Sequence, residues 1–114
     1  MIKKCIFCKI ANKTIPAEVI FEDDYVLAFK DINPKAPVHV LIIPKNHIET
    51  VDNLKPKDEK IVGAMVYAAQ KIARDTKIAK NGYRLVFNVK SHGGQIIDHI
   101  HLHLLGGQKL GGMV

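Results

Sequence analysis

Two rhythms of hydrophobic positions run through this chain. Between about residues 58 and 77, Ile61, Met65, Ala68 and Ile72 recur at spacings of four, three and four. On a helix of 3.6 residues per turn they gather into one stripe, which predicts a long amphipathic helix. Asp58 and Glu59 at its start, and Lys71, Arg74 and Lys77 toward its end, suit the helix dipole, and Asn81-Gly82 predicts a C-cap and turn. Elsewhere the apolar runs are short and rich in β-branched residues. "EVIFED" and "YVLAFKD" predict a hairpin turning at Asp23-Asp24, and "VHVLIIP" predicts a buried central strand. "YRLVFNV" and "DHIHLHLLG" (98–106) supply two more strands, with glycine- and proline-bearing loops "INPKAP" and "KSHGGQ" between elements. "CIFCKIANKT" has the spacing of a short helix ending near Thr14-Ile15-Pro16. The resulting order is helix, three strands, helix, two strands. It predicts an α+β fold: a five-stranded, mainly antiparallel sheet packed by one long helix and a short N-terminal helix. A single domain over residues 1–114 is expected at this length.

The strand 98–106 changes the picture from fold to chemistry. Alternate side chains of a strand point to opposite faces. Ile100, Leu102 and Leu104 are therefore expected on the core face and His99, His101 and His103 together on the other, about 6.5–7 Å apart along the strand. A neutral imidazole is a nucleophile, a proton carrier and a metal ligand near pH 7. Three of them beside a Gly-Gly-Gln loop, with His39 on another strand, point to metal or phosphoryl chemistry. The loop favours the second, since backbone N–H groups and an amide side chain suit phosphate oxygens. Cys5 and Cys8 form a lone C-x-x-C. A structural disulfide is not expected in a cytosolic chain, a thioredoxin-like pair lacks its preceding strand, and a metal site needs partners elsewhere.

Charge adds little. The net charge of +6 comes from 17 scattered Lys and Arg, and aromatics are only 6% of the chain, so a basic stripe interleaved with stacking rings is absent and no nucleic-acid partner is expected. No apolar run approaches the roughly 20 residues of a membrane helix. The start "MIKKCIFCKI" lacks the apolar stretch and cleavage site of a signal peptide, so no membrane partner and a cytoplasmic location are expected.

"GGQIIDHIHLHLLGG" resembles the signature of the histidine-triad (HIT) superfamily. "CIFCKI", "IPAEVIFEDD", "LAFKDINPKAPVHVLIIPKNHI" and "FNV" extend the likeness over nearly the whole chain, toward the Hint branch of nucleoside phosphoramidate hydrolases. The resemblance implies that His101 attacks the phosphorus of an adenosine or guanosine 5′-phosphoramidate, forming a nucleotidyl-histidine that water resolves to the monophosphate. It implies that His103 contacts the phosphate, His39 orients the triad, Asn88 and Gln95 serve the phosphate site, and Asp31 takes the ribose hydroxyls. Phe7, Ile10, Phe29 and Ile32 resemble a purine slot, with plain core packing as the competing reading. Members with an N-terminal C-x-x-C resemble zinc proteins, which implies a structural zinc on Cys5, Cys8, His47 and His99. His92 reads as solvated surface. A homodimer pairing through a sheet edge is implied as well.

The chain departs from the pattern where many Hint-type sequences place serine after the loop glutamine: here stands Ile96, which cannot donate a hydrogen bond to a departing amine. Two other functions stay open at this point. One is dinucleoside polyphosphate hydrolysis, disfavoured by the Hint-like ending "LLGG"; the other is a nucleotide-binding module with little turnover.

Overall fold

A computed structural model describes residues 5–112; the basic start at Lys3-Lys4 lies outside them. The elements run α1 (Ile6–Ala11), β1 (Val19–Glu22), β2 (Val26–Lys30), β3 (Val38–Pro44), α2 (Glu59–Asp75), β4 (Tyr83–Phe87) and β5 (Leu102–Gly106). All five strands join one antiparallel sheet in the order β1-β2-β3-β5-β4. Asp23 makes the first hairpin turn, its Oδ1 accepting from the N–H groups of Tyr25 (2.8 Å) and Val26 (2.9 Å).

The two faces of the sheet carry different layers. Val26, Ala28, Val40, Ile42, Leu102 and Leu104 pack on the side of α2, against Met65, Ala68, Ala69, Ile72 and Ala73. Leu27, Phe29, Leu41 and Ile43 face the other way and pack with Phe7 and Ile10 of α1. Strands β2 and β3 are thus buried on both faces, which explains why their sequences are continuous apolar runs rather than alternations. The short helix α1 covers only part of its face. That leaves β5 and β4 room for a cleft.

Two boundaries differ from the sequence expectation. The strand read as 98–106 begins only at Leu102, because the segment before it bends: the His99 N–H donates to the Ile97 carbonyl and the Ile100 N–H to the Ile48 carbonyl. The long helix stops at Asp75 rather than 77. Thr76 caps it through an Oγ1–H bond to the Ile72 carbonyl (2.8 Å), and Lys77 takes the positive φ of 65° that Gly82 was expected to supply. Gly82, at φ 103°, instead shapes the turn into β4.

Two glycines end β5. A methyl on Gly106 would lie 2.6 Å from Ile78 Cδ1, and one on Gly107 2.9 Å from Pro37 Cβ, where the backbone also has φ 94°. Gly107 is therefore constrained twice, by conformation and by space. Gly107→Ala should cost about 1–3 kcal/mol in urea denaturation. Gly111→Ala, where an added Cβ meets nothing within 4 Å, should stay within about 0.5 kcal/mol. Met65→Ala, at a fully buried site, should cost about 2–5 kcal/mol by the same measurement.

Candidate active site and metal centre

Five histidines meet on the α1 side of the sheet; backbone groups fix the tautomers of three, and one of these fixes a fourth. A carbonyl oxygen only accepts, so a ring nitrogen bonded to one must carry hydrogen. His99 Nε2–H donates to the Pro44 carbonyl (2.9 Å), and His101 Nδ1–H donates to the His99 carbonyl (2.8 Å). The Lys35 N–H donates to His39 Nδ1 (3.0 Å), so neutral His39 carries its hydrogen on Nε2. That hydrogen is donated to His103 Nδ1 (2.9 Å), which leaves the His103 hydrogen on Nε2. Asp31 Oδ2 stands 3.4 Å from the same His39 nitrogen, and its Oδ1 accepts from the Asn33 N–H (2.8 Å).

Burial keeps these rings neutral. It pulls His103 and His99 down to about 4 and lowers His101 and His39 from the usual 6.5. Two nitrogens then remain free. His101 Nε2 and His103 Nε2 have no hydrogen-bond partner, yet no buried side-chain nitrogen or oxygen among the described residues lacks one. Both atoms must therefore reach solvent. One offers a lone pair, the other an N–H, and the two rings lie 5.0 Å apart.

They open into a cleft of about 620 Å³. The sheet register gives its direction. His103 pairs with Leu41 and Val86 in mid-sheet. Asp31 and Ile32 follow the Lys30 end of β2, which pairs with Val40. Asn88 follows the Phe87 end of β4, which pairs with Leu102 at the opposite end of the strands. Asp31, Ile32 and Asn33 line one end of the cleft; Asn88, Ile96 and Ile97 line the other. Phe7 roofs the middle, its ring 5.1 Å from His101 and 5.5 Å from Phe29 in edge contacts.

Most of the predicted site residues share this cleft: His39, His101, His103, Asp31, Asn88, Phe7, Ile10, Phe29 and Ile32 all contribute to it. Phe7, Ile10 and Phe29 are buried, whereas Ile32 is 91% exposed at the rim. Gln95 stands apart from these. Its amide is spent inside the loop, with Oε1 accepting from the Lys90 N–H (2.9 Å) and Nε2 donating to the carbonyls of Glu49 (2.7 Å) and Ile97 (2.9 Å), and it is not part of the cleft wall. The expected cradle of loop amides is also turned inward. The N–H groups of Gly93 and Gln95 donate to the Lys90 carbonyl and that of Gly94 to the Ser91 carbonyl, while Asn88 Nδ2 holds the Gly93 carbonyl (2.7 Å). A tight turn has to satisfy its own backbone before it can serve a ligand. The Pro44, His99 and Lys35 backbone groups that orient the rings carry no signature in the sequence, because any residue type supplies them.

A second cluster lies beside the first. With its Nε2–H held by Pro44, the fully buried His99 turns Nδ1 to Cys5 Sγ (3.3 Å) and Cys8 Sγ (3.5 Å), and His47 Nδ1 lies 3.2 Å from Cys8 Sγ. The four donor atoms fall within 4.8 Å of one another and could hold a metal ion. Sulfur and imidazole nitrogen sharing a tetrahedral cation sit about 3.5 Å apart, which these spacings approach. Without a cation, burial and the neighbouring Cys5 push the Cys8 thiol up to about 11; a bound cation would favour the thiolate. Asp31, His39 and His103 also cluster, but the 2.9 Å gap between the two rings belongs to a hydrogen bond, shorter than the roughly 3.3 Å of two imidazoles on one ion.

The HIT domain family matches residues 12–110. The chain is 47% identical, over its full 114 residues and 96% of the relative, to a purine nucleoside phosphoramidase of Escherichia coli K12. It is similar to the crystal structure of a HIT family hydrolase from Legionella pneumophila (52% identity, TM-score 0.91, 93% of this chain and 95% of the other). A HIT family hydrolase from Clostridium thermocellum is comparably similar (45% identity, TM-score 0.95, 100% and 99%). The chain belongs to the HIT domain family and is a hydrolase of that family.

Proposed function

We infer that this hydrolase cleaves the P–N bond of purine nucleoside 5′-phosphoramidates, adenosine or guanosine, through a nucleotide carried on His101. The observation that carries the reading is the bare, solvent-reaching Nε2 of His101 in a cleft between a carboxylate end and an asparagine end. The similar E. coli protein bears the name of that activity. Asp31 receives the ribose hydroxyls, and the apolar side chains Phe7, Ile10, Phe29 and Ile32 receive the base. His103 donates its Nε2–H to a phosphate oxygen, with His39 fixing its ring. Asn88 stands at the phosphate end.

In the first step His101 Nε2 forms a bond to phosphorus while the P–N bond breaks, and the amine leaves with a proton taken from water. The nucleotidyl-imidazolium keeps its Nδ1–H on the His99 carbonyl, so its positive charge is stabilised where it develops. Water then attacks phosphorus. Imidazole returns neutral, one proton goes to solvent, and nucleoside monophosphate departs. Splitting one displacement into two lets the same ring serve as nucleophile and leaving group.

Cys5, Cys8, His47 and His99 would hold structural zinc, for which two thiolates and two imidazoles are a fitting donor set. When bound it supplies a cross-link between the start of α1 and the approach to β5, and Phe7 is thereby held over His101. The same reading makes the protein a cytoplasmic homodimer. Support for the dimer is the open edge of β4 with half-exposed Leu85.

His101→Gly should lower kcat/KM for adenosine 5′-phosphoramidate by about 10³-fold or more, with AMP affinity by calorimetry changed only a few-fold. Wild-type protein that binds AMP but releases none from the phosphoramidate would favour a binding module instead. Elemental analysis of reduced, purified protein should find one zinc per chain. Cys8→Ser should lower the melting temperature by on the order of 10 °C, the shift that about 2 kcal/mol makes in a domain of this size. Metal-free protein with an unchanged melting temperature in Cys8→Ser would remove the zinc.

A further inference from the structure

Cys5 and Cys8 are free thiols, both half-buried and so within reach of small solutes. Cys5 is the N-cap of α1 and Cys8 its third residue, and the Cys8 N–H reaches back to Cys5 Sγ (3.4 Å). The helix start thus turns both sulfurs to one side, where they lie within 4.8 Å of each other. His99 Nδ1, on a ring pinned by Pro44, is 3.3 Å from one and 3.5 Å from the other. A disulfide needs its sulfurs about 2 Å apart, so the first turn of α1 has to shift for the pair to close. With only six residues, α1 has little stability of its own to resist that shift. Between the two cysteines in sequence stands Phe7. Its ring makes edge contacts with His99 (5.9 Å), His101 (5.1 Å) and Phe29 (5.5 Å). One turn of helix therefore joins an oxidisable pair to a wall of the cleft.

We propose that Cys5 and Cys8 are a reversible oxidation site at which disulfide formation and metal binding exclude each other, and that the disulfide weakens nucleotide binding by shifting Phe7 from His101. The oxidation site goes beyond the function proposed above; its two consequences rest on the zinc and nucleotide readings. The oxidant is a hydroperoxide. One cysteine sulfur attacks a peroxide oxygen, the O–O bond breaks, and a sulfenic acid forms with release of water. The second sulfur displaces the hydroxyl as another water, and the S–S bond closes. Two thiols lose two electrons and two hydrogens, and one hydrogen peroxide becomes two waters. Starting from thiolates, the two protons come from solvent. A resolving sulfur this close intercepts the sulfenic acid before a second peroxide does. The disulfide offers no thiolate, so only His47 and His99 of the four donors remain, too few to close a tetrahedral site.

The test treats reduced protein carrying one zinc per chain with a few equivalents of hydrogen peroxide, then with dithiothreitol. Peroxide should lower the mass by about 2 Da, remove both titratable thiols and release zinc to a chromogenic chelator in step with the mass change. Dithiothreitol should restore the mass and the thiol count. AMP affinity by calorimetry should fall about three- to tenfold on oxidation, the size of one aromatic contact, and recover on reduction. In Phe7→Leu the disulfide should still form, but it should change AMP affinity by less than about twofold. Oxygen added to either sulfur in place of pairing, zinc retained by the disulfide form, wild-type AMP affinity unchanged by the disulfide, or an equal loss of affinity in Phe7→Leu overturns the inference and leaves the hydrolase reading intact. Reduced protein that binds no AMP removes the nucleotide reading instead, and protein that takes up no zinc removes the metal reading. In either case the mass and the thiol count still decide the oxidation site.

Discussion

Much of this site depends on one hydrogen bond, from His101 Nδ1–H to the carbonyl of His99. It decides which nitrogen of the central imidazole is bare, and hence whether the ring is a nucleophile or a donor toward the cleft. The carbonyl belongs to a residue two positions earlier, so local chain geometry imposes the tautomer with no need for a carboxylate partner. The same device recurs at His99, through Pro44, and at His39, through the Lys35 N–H. One backbone contact on His39 then propagates through its Nε2–H to set His103. Backbone groups cannot titrate in the working pH range, so such an arrangement keeps its polarity as conditions change.

The fold serves this arrangement by layering. Because β2 and β3 are buried on both faces, the centre of the sheet is rigid and the histidines stand on a fixed floor. Burial depresses the imidazole pKa values, which holds them uncharged and available. The bend before Leu102 is equally necessary. A strand continued back to Asp98 would repeat one spacing for all three triad rings. The bend instead lets His99 turn its free nitrogen to the two cysteines while His101 and His103 stay with the cleft. Three residues of one motif thereby divide between two clusters.

The parts of this protein legible in its sequence are those written in side-chain chemistry at fixed spacing. The apolar stripe of α2 and the alternation around Leu102 and Leu104 gave the two layers. The C-x-x-C and the histidine pattern gave both clusters once a resemblance supplied His47 and Asp31 as partners. Three features escaped. The helix end passed to Thr76 and Lys77, because a threonine hydroxyl reaching back four residues competes well with a glycine turn. The inward pairing of Gln95 and the loop amides carries no mark in the residue types, because a turn between β4 and the triad has to satisfy its own backbone. The tautomers were invisible, since they depend on carbonyls whose residue types carry no signal.

The most direct measurement is the tautomeric state of each imidazole, read from long-range ¹H–¹⁵N correlations of ¹⁵N-labelled protein at neutral pH. The account predicts His101 with hydrogen on Nδ1 and a bare Nε2, and His39 and His103 with hydrogen on Nε2. A hydrogen on His101 Nε2, or a doubly protonated ring there at neutral pH, would leave no lone pair facing the cleft and would contradict it.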